Sequence, residues 1–375
     1  MENIGISTFV TKIASRCNLN CSYCYMYNMG DETYKKQPKF MNMVTLMNFA
    51  EKVNNHIKKH EIPHVYIALH GGEPLLYGVE NLKEFIEVFQ SQISYKKSKI
   101  NFVLQTNGVL LTEDIAQQLF DLNIFIGISF DGIKSVHDEF RQYHNGKGSY
   151  DDIITKFSIV KNIQERLAII TVINLQNTPF QYYHLLKEHG VTDLNLLLPD
   201  SNYQTLPPSY ETIEDTSQAL YGKYLSIVFD EYQKDEDRIK IAFFENIIKL
   251  FTGLKVGDQL IGTRQNNAVT IETNGGIEVV DMMRINEEGI TRNDLNINKD
   301  ELDEVFKEEI YDTYYYGNDK LCDECKNCSL VNICAGGMVV HRYKDGHFNN
   351  PSIYCNDLKH IINHIYNYIK SHLHA

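Results

Sequence analysis

Short apolar, β-branched runs alternate with amphipathic stretches from about residue 5 to residue 200. Apolar runs bounded by turn residues are typical of buried strands, and a 3.6-residue apolar period is typical of helices. Repeated strand and helix predict parallel strands with helices outside, as a barrel or an open sheet. The predicted strands are Gly5–Lys12, Val65–His70, Asn101–Gln105, Ile124–Phe130, Ala168–Ile173 and Leu194–Leu198. The predicted helices are Val44–His60, Leu82–Gln92, Glu113–Leu122, Asp151–Gln164 and Gln181–His189.

The pattern changes at Leu206-Pro207-Pro208, which predicts a boundary. Two helices, a hairpin turning at Asn274-Gly275-Gly276, a cysteine-rich loop region and a terminal helix are expected after it. Three segments follow: an α/β segment at 1–205, a helical bridging region at 206–265 and a cysteine-rich segment at 266–375. The later elements are Ile213–Asp235, Ile239–Thr252, Val269–Asp281, Leu321–Cys355 and Asp357–Leu373.

The composition is that of a globular protein with an acidic surface. Of the 375 residues, 43% are hydrophobic and 23% charged, and no apolar run reaches the length that crosses a bilayer. Residues Met1–Ile4 lack a basic, apolar secretory signal, so a cytoplasmic location without a membrane partner is expected. The net charge of −13 argues against a nucleic-acid partner. It suits a basic peptide substrate, or it simply keeps the protein soluble.

The eight cysteines are clustered at the two ends of the chain. Three lie between Cys17 and Cys24, and five lie between Cys322 and Cys355. Disulfides are rare in the cytoplasm, whereas closely spaced thiols there are typical ligands of metals or clusters. Three thiolates within eight residues hold three irons of a [4Fe–4S] cube and leave one iron open. A closed zinc site would need a fourth ligand, and no further Cys or His lies nearby.

The loop after the first strand carries the most specific motif. The spacing C-x3-C-x-aromatic-C, formed by Cys17, Cys21 and Cys24, resembles the signature of the radical S-adenosylmethionine (SAM) superfamily. The resemblance implies a partial (β/α)6 TIM-like barrel over roughly residues 5–200. It also implies a [4Fe–4S] cluster that binds SAM and cleaves it to a 5′-deoxyadenosyl radical. An electron donor such as flavodoxin or ferredoxin is then expected.

Segments at later strand ends fit the same family. The GGEP element resembles the part of the family that contacts the methionine amino group, and the other segments resemble further SAM contacts. Alone, a Gly-Gly or Asn-Gly pair is more often just a turn. The expected SAM-binding residues are Gly71, Gly72, Glu73, Asn107, Ser129 and Arg141.

The C-terminal cysteines resemble a SPASM-type domain, which binds auxiliary [4Fe–4S] clusters. Cys325, Cys328, Cys334 and Cys355 match the ligand set of the outer cluster in that family. A structural zinc ion is the alternative for four cysteines. The family usually has further cysteines where this chain has Asp281 and Met338, so one auxiliary cluster is expected rather than two. Cys322 is left as a residual ligand, an alternative ligand or a reactive thiol.

Two longer stretches, Glu272–Asp281 and His341–Leu358, are similar to those of peptide maturases that form three-residue cyclophanes. This resemblance implies a ribosomally made precursor peptide as substrate and a crosslink between an aromatic ring carbon and a Cβ. Thioether formation, epimerisation and sulfatase maturation remain as other SPASM chemistries. A non-enzymatic iron–sulfur or zinc scaffold is the alternative outside enzymes.

A crosslink requires a group that accepts a proton. Asp281 is the hypothetical base, because relatives place a cluster ligand facing the cavity there. The alternatives are that Asp281 caps the end of the hairpin or pairs with Arg284. His341 and Arg342 are expected either to contact the substrate or to pack beside the cluster.

Overall fold

The structure, a computed structural model, describes residues 5–160, 166–211, 215–256, 259–263 and 265–373. The start of the chain and parts of two predicted helices, at 161–164 and 213–214, lie outside the described residues. The backbone forms two compact units. The first contains residues 1–129, 138–167 and 267–312, and the second contains residues 130–137, 168–266 and 313–375. The predicted division into three consecutive domains stays a prediction.

The strands confirm the predicted positions, the hairpin included, and add one, β7. In the first unit the strand order is β4-β3-β2-β1-β8-β9, in which β1 to β4 and β8 are parallel and β9 is antiparallel to β8. In the second unit β5, β6 and β7 are successive parallel neighbours. The strands are β1 Thr8–Ala14, β2 His64–Gly71, β3 Lys99–Thr106, β4 Phe125–Ser129, β5 Leu167–Val172, β6 Asp193–Leu197, β7 Lys240–Ile241, β8 Ala268–Ile271 and β9 Ile277–Val279.

The helices in the described residues follow the amphipathic stretches. Asn42 and Thr112 cap two of them by accepting hydrogen bonds from Thr45 N and Ile115 N. The α-helices are α1 Met43–Lys59, α2 Val79–Gln92, α3 Glu113–Asp121, α4 Lys134–Phe140, α5 Tyr150–Ile154, α6 Phe157–Val160, α7 Pro179–Glu188, α8 Pro208–Glu211, α9 Leu220–Lys234, α10 Ala242–Phe251, α11 Glu309–Tyr315, α12 Asp323–Lys326, α13 Val331–Cys334 and α14 Cys355–Leu373. The 3-10 helices are Thr33–Lys36, Pro74–Tyr77, Thr216–Gln218, Asp281–Ile285, Leu302–Lys307 and Val339–Arg342.

Aromatic side chains join the helices of the first unit to its sheet. Phe9 of β1 contacts Phe49 of α1 with ring centroids 5.6 Å apart. Phe89 of α2 then contacts Phe49 at 5.3 Å and Phe102 of β3 at 5.7 Å. Burial of such large rings dominates the energetics of a core. The helices are therefore fixed against the sheet face, and the loops at the carboxyl ends of its strands are free to form a site.

The predicted hairpin is confirmed, but its position in the sheet is new. β8 pairs in parallel with β1, so Thr8 lies opposite Ala268 and Thr11 opposite Ile271. A pairing across some 260 residues cannot be read from local periodicity. A second difference is local: the helix predicted at Ile239–Thr252 begins as the short strand β7, and α10 starts at Ala242.

Helices α9, α10 and α14 pack together in the second unit. Phe229 of α9 contacts Phe244 of α10 and Tyr368 of α14, each at 5.3 Å. Asp357 at the start of α14 accepts hydrogen bonds from Tyr210 Oη and Gly222 N. The cysteine-rich region is anchored by these helices. Among the described helices, none has the length and apolar content that spanning a bilayer demands.

Candidate active site

The three N-terminal thiols lie on one loop immediately after β1. Cys24 N donates to Cys21 O at 3.0 Å, which closes a turn between the second and third thiols. Cys17 Sγ accepts a hydrogen bond from Leu19 N at 3.4 Å. Asn107, at the end of β3, places its amide nitrogen 3.7 Å from the same sulfur and 2.7 Å from Asn18 Oδ1. The end of β3 therefore holds the thiol loop in place.

Gly71 and Gly72 lie against the chain just before Cys17. A Cβ on Gly71 would be 1.9 Å from Ala14 O, and one on Gly72 would be 2.4 Å from the Arg16 carbonyl. Gly71 also has a φ of +137°, which disfavours a side chain. Gly72 N and Glu73 N donate to Ala14 O and Arg16 O at 2.9 Å and 3.0 Å. The missing side chains of these glycines therefore let the backbone after β2 pack against the backbone of Ala14 and Arg16.

Glu73 connects the ends of β2 and β3. Its carboxylate is fully buried and accepts from Leu75 N at 2.9 Å, Thr106 Oγ1 at 2.7 Å and Asn107 N at 2.8 Å. Burial raises the pKa of Glu73 although these donors act to lower it. Its observed contacts position the loops. A contact with the SAM ammonium stays a prediction.

Arg141 also reaches the thiol loop. Its Nη1 donates to Tyr23 Oη at 2.6 Å, and Tyr23 is the aromatic residue that precedes Cys24. His144, a little further along, places Nε2 3.1 Å from Cys17 O. Ser129 is 9% exposed at the carboxyl end of β4. Five of the predicted SAM-binding residues therefore contact the thiol loop or residues bonded to it. The sixth, Ser129, lies at the end of the neighbouring strand β4.

A buried charged network lies beside this loop. Asp281, at the start of the 3-10 helix after β9, is 3% exposed and accepts hydrogen bonds from Lys12 Nζ and from Tyr25 Oη, the latter at 2.8 Å. Lys12 Nζ also donates to His70 Nδ1 at 3.0 Å. Lys12 and His70 belong to β1 and β2, and Tyr25 follows Cys24. Pairing of β8 with β1 brings Asp281 to this position.

The network fixes the protonation of its members. Burial would raise the pKa of Asp281, but the charge of Lys12 and the hydrogen bonds donated by Lys12 and Tyr25 hold it well below its usual range. Burial and the nearby Lys12 lower the pKa of His70 to about 4. At neutral pH the site therefore contains an ionised carboxylate and a neutral imidazole.

The alternative pairing of Asp281 with Arg284 is not what the hydrogen bonds show. Arg284 Nη2 donates to Glu272 Oε1 at 2.7 Å and to Glu278 Oε2 at 2.8 Å. Glu278 also accepts from Thr291 Oγ1 at 2.6 Å. Arg284 thus stabilises the hairpin by pairing with Glu272 and Glu278. Asp281 pairs with Lys12 instead.

The C-terminal cysteines line a cavity in the second unit. Cys325, Cys328, Cys334 and Cys355 all face it, together with Glu324, Leu330, Val331, Gly336, Ser352 and Lys359. Cys322 is absent from the lining and is hydrogen-bonded to Cys325 instead. Burial raises the pKa of the Cys325 thiol to about 12 and that of Cys334 to about 11. Four of the five predicted cysteines therefore converge, as the spacing predicted.

A separate cluster on α1 resembles a metal site. His56, His60 and Asp303 bring their ligand atoms within 4.8 Å of one another. However, His56 Nε2 accepts a hydrogen bond from Ile6 N at 2.9 Å, so the proton of the neutral ring must lie on Nδ1. Nδ1 is 2.6 Å from Asp303 Oδ1 and donates to it. The cluster is a hydrogen-bonded tie between α1 and the 3-10 helix Leu302–Lys307.

Comparisons with known proteins agree with this geometry. The profile of the radical SAM superfamily matches residues 11–178, which include the thiol loop and the ends of β2, β3 and β4. The chain belongs to the radical SAM superfamily. Its α/β fold with a partial parallel barrel is the one predicted, and the superfamily's [4Fe–4S] cluster and SAM are its cofactors.

Relatives resemble this radical SAM chain over nearly its whole length. A cysteine-type anaerobic sulfatase-maturating enzyme of Clostridium novyi (strain NT) is 26% identical over 95% of this chain and 94% of the relative. A serine-type anaerobic sulfatase-maturating enzyme of Bacteroides thetaiotaomicron is 25% identical over 89% and 82%. The structure of native anSMEcpe with bound AdoMet and Cp18Cys peptide has the same fold, with a TM-score of 0.81 at 24% identity over 97% of this chain and 98% of that one.

The thiols of this radical SAM protein suit clusters better than a single zinc ion. Zinc–sulfur bonds of about 2.3 Å in a tetrahedron put the sulfur atoms about 3.8 Å apart. Among the described residues, no three thiols lie within 4.8 Å of one another. Burial raises the pKa of Cys17 to about 12 and that of Cys24 to about 11, so the thiolates need positive charge beside them. The irons of a cluster supply that charge, and a cluster does not require its thiols to come as close together as a single zinc ion does.

Sequence reasoning missed the polar residues that support the site. Lys12, His70 and Tyr25 are indistinguishable in the sequence from polar residues on a solvated strand or loop. Arg16 was also missed, although its Nη1 donates to Tyr34 O at 3.0 Å and so ties down the residue before Cys17. A lysine inside a largely apolar run that predicts a buried parallel strand was the available signal, because such a charge requires a partner.

Proposed function

We propose that this chain is a radical SAM peptide maturase that removes a hydrogen atom from the Cβ of a peptide side chain. Oxidation of a Cys or Ser side chain, the activity named for its sulfatase-maturating relatives, is the favoured reaction. The observation that carries the proposal is the ionised Asp281 held beside the thiol loop. Full-length similarity to both types of sulfatase-maturating enzyme supports the choice of substrate.

The reaction removes two electrons and two protons from the side chain. Loss of a hydrogen atom from Cβ leaves a carbon radical. Loss of one electron from that radical, for which the auxiliary cluster that Cys325, Cys328, Cys334 and Cys355 would hold is the proposed acceptor, and of one proton from the thiol or hydroxyl then gives a carbon–sulfur or carbon–oxygen double bond. A thioaldehyde formed from Cys reacts with water to give the aldehyde and sulfide. A proton acceptor near Cβ is therefore required.

Residues of the first unit would hold the cofactors. Cys17, Cys21 and Cys24 would bind the cluster. Asn107 and Ser129, at the ends of β3 and β4, and Arg141, which follows α4 and contacts Tyr23, would bind SAM. When bound, the cluster and SAM supply a carbon radical able to abstract hydrogen. Gly71, Gly72 and Glu73 would act by fixing the loops. The auxiliary cluster would take its ligands from Cys325, Cys328, Cys334 and Cys355.

Asp281 is the proposed proton acceptor. It is ionised at neutral pH, as a base must be. Lys12 and Tyr25 hold its carboxylate beside the loop, but the charge of Lys12 also reduces its proton affinity. The neutral His70 lies 3.9 Å from the carboxylate and can share the incoming proton. Asp281 and His70 would then act as one pair.

An aromatic-to-Cβ crosslink is the second candidate reaction. It begins with the same abstraction at Cβ, and the stretches Glu272–Asp281 and His341–Leu358 resemble cyclophane-forming maturases. The two reactions differ in their product: an aldehyde reacts with a hydrazine, and a crosslink does not.

The test uses the anaerobically reconstituted enzyme with SAM and dithionite. Sulfatase-type peptides that contain Cys, Ser or Ala at the modified position are compared with a peptide carrying an aromatic residue two positions before an unactivated Cβ. We expect 5′-deoxyadenosine together with a hydrazine-reactive product from the Cys or Ser peptide. A loss of two hydrogens without hydrazine reactivity would select the crosslink instead. Absence of 5′-deoxyadenosine, with iron present, would refute the enzyme proposal.

The role of Asp281 is tested separately. D281N should continue to form 5′-deoxyadenosine while the modified peptide is lost. D121N, the same change at an exposed residue of α3, is the matched control and should behave like the wild type. Normal peptide modification by D281N would rule out this base.

A further inference from the structure

Arg342 is one of the largest fully buried side chains and lies beside the C-terminal cysteines. It ends the 3-10 helix Val339–Arg342 and is 2% exposed. Among the residues that the structure describes, its hydrogen-bond acceptors are carbonyl and amide oxygens, and none is a carboxylate. A buried guanidinium without a carboxylate partner is costly unless other acceptors and negative charges surround it. Arg342 has both: carbonyl and amide oxygens accept its hydrogen bonds, and cysteine sulfurs lie near its charge.

Backbone carbonyls surround the guanidinium. Arg342 Nε donates to Gly336 O at 3.0 Å, and Nη2 donates to Ala335 O at 2.9 Å and to Gly337 O. Gly317 O accepts from Nη1 at 2.6 Å. Asn318 Oδ1 completes the set, 3.2 Å from Nη2. Three successive carbonyls after Cys334 therefore point at a single side chain.

This loop has an unusual backbone. Ala335, Gly336 and Gly337 all have positive φ, at 48°, 77° and 69°. With the Ala335 carbonyl turned toward Arg342, the N–H of Gly336 in the same peptide group is directed toward the sulfur of Cys334. A Cβ on Gly336 would lie 3.1 Å from Arg342 Cζ, so glycine allows the guanidinium its close approach. Arg342 thus orients the Ala335–Gly336 peptide group, whose N–H faces the Cys334 sulfur.

The charge of Arg342 also acts on the thiols. It interacts favourably with Cys334, Cys325 and Cys322. Lys359, a cation of the cavity lining, lies near Cys355, is 38% exposed and has its Nζ 3.8 Å from Glu324. Solvent and Glu324 screen the charge of Lys359, whereas Arg342 is desolvated.

We propose that Arg342 is the positioning residue of the auxiliary cluster: it orients the Gly336 N–H onto the Cys334 sulfur and raises the reduction potential of the cluster. Hydrogen bonds to the sulfurs and the net charge around them are what set such potentials. A positive charge stabilises the reduced, more negative form. The inference rests on an iron–sulfur cluster at the C-terminal cysteines and is independent of the peptide reaction.

The test isolates the auxiliary cluster in a C17A/C21A/C24A background, so that iron and the electron paramagnetic resonance signal come from the C-terminal cysteines. R342M, R342K and the control K359M are reconstituted and titrated with dithionite. At a fixed potential, R342M should lower the ratio of reduced to oxidised cluster at least tenfold, which is 59 mV for one electron. R342K keeps the charge and should lose less, and K359M should change the ratio less than threefold.

The outcomes are decisive in each case. A ratio for R342M within threefold of the parent overturns the proposal, as does an equal shift in K359M. If R342M retains no iron, N318A replaces it, because that variant removes one acceptor and keeps the charge. A shift of at least twofold in N318A supports the proposal, and an unchanged ratio overturns it. Failure of the peptide reaction would leave these potentials unaffected.

Discussion

Lys12 is the residue whose replacement most directly tests the buried network. It lies on β1 with no exposed surface, and it donates to Asp281, His70 and the sulfur of Met26. K12M keeps much of the side-chain volume and removes the charge. Asp281 would then be left buried with Tyr25 as its remaining hydrogen-bond donor. We expect K12M to destabilise the protein strongly.

The magnitude follows from the burial of both partners. Removing one member of a buried ion pair costs about 3–5 kcal/mol, because the other charge stays desolvated. In the wild type the lowered pKa of Asp281 contributes stability above the unfolded value of about 3.9, and this stability is lost as pH falls below it. Without Lys12, burial dominates and raises that pKa. The penalty of K12M should then be largest at neutral pH and should shrink as pH falls toward 5, when Asp281 takes up a proton.

The assay is urea unfolding of the chain followed by circular dichroism and tyrosine fluorescence, since the protein has 24 Tyr and no Trp. The wild type, K12M, D281N and K12M/D281N form a double-mutant cycle. The double variant should recover at least 2 kcal/mol of the K12M loss, because a neutral pair leaves no buried charge. Additive losses, or a K12M penalty that does not vary with pH, would refute the reasoning.

Three further predictions concern the two sites. E73Q should lower the free energy of unfolding by about 1–3 kcal/mol, measured by urea titration, because an amide cannot satisfy all three of its donors. C355S should remove auxiliary iron while C322S retains it, as measured by iron and sulfide per chain, and equal losses would contradict the cavity assignment. G72A should lower both the unfolding midpoint and the iron content, since its Cβ would lie 2.4 Å from the Arg16 carbonyl carbon; unchanged iron would contradict this.

Local sequence patterns were sufficient to predict the positions of the strands and helices and the grouping of the cysteine thiols. The six predicted strands each overlap an observed strand, and the C-terminal helix begins two residues before its predicted start, at Cys355. Burial and periodicity act over neighbouring residues, so the sequence records them directly. The spacing of Cys325, Cys328 and Cys334 likewise fixes their approach within a few turns of chain.

Long-range contacts were beyond such reasoning. Asp281 was identified as a candidate base, but its partners lie 269 and 256 residues away, at Lys12 and Tyr25. The expected contact of the GGEP glycines with SAM stays a prediction, and the fold adds that their missing side chains admit the backbone of Ala14 and Arg16. A sequence motif indicates that a position requires glycine, but only the folded structure shows which atoms lie where a side chain would be.

The placement of the hairpin explains why the first unit can bury so many charges. Because β8 extends the sheet beside β1, the segment after β9 returns to the thiol loop, and the Asp281 carboxylate accepts a hydrogen bond from Tyr25 of that loop. A carboxylate there would be too costly unless cations met it, and Lys12 does so from the adjacent strand. Arg284 meets the two glutamates of the hairpin in the same way. The pairing of β8 with β1 and the presence of Lys12 beside Asp281 are therefore parts of one arrangement, which holds a fixed, charge-compensated carboxylate next to the thiol loop.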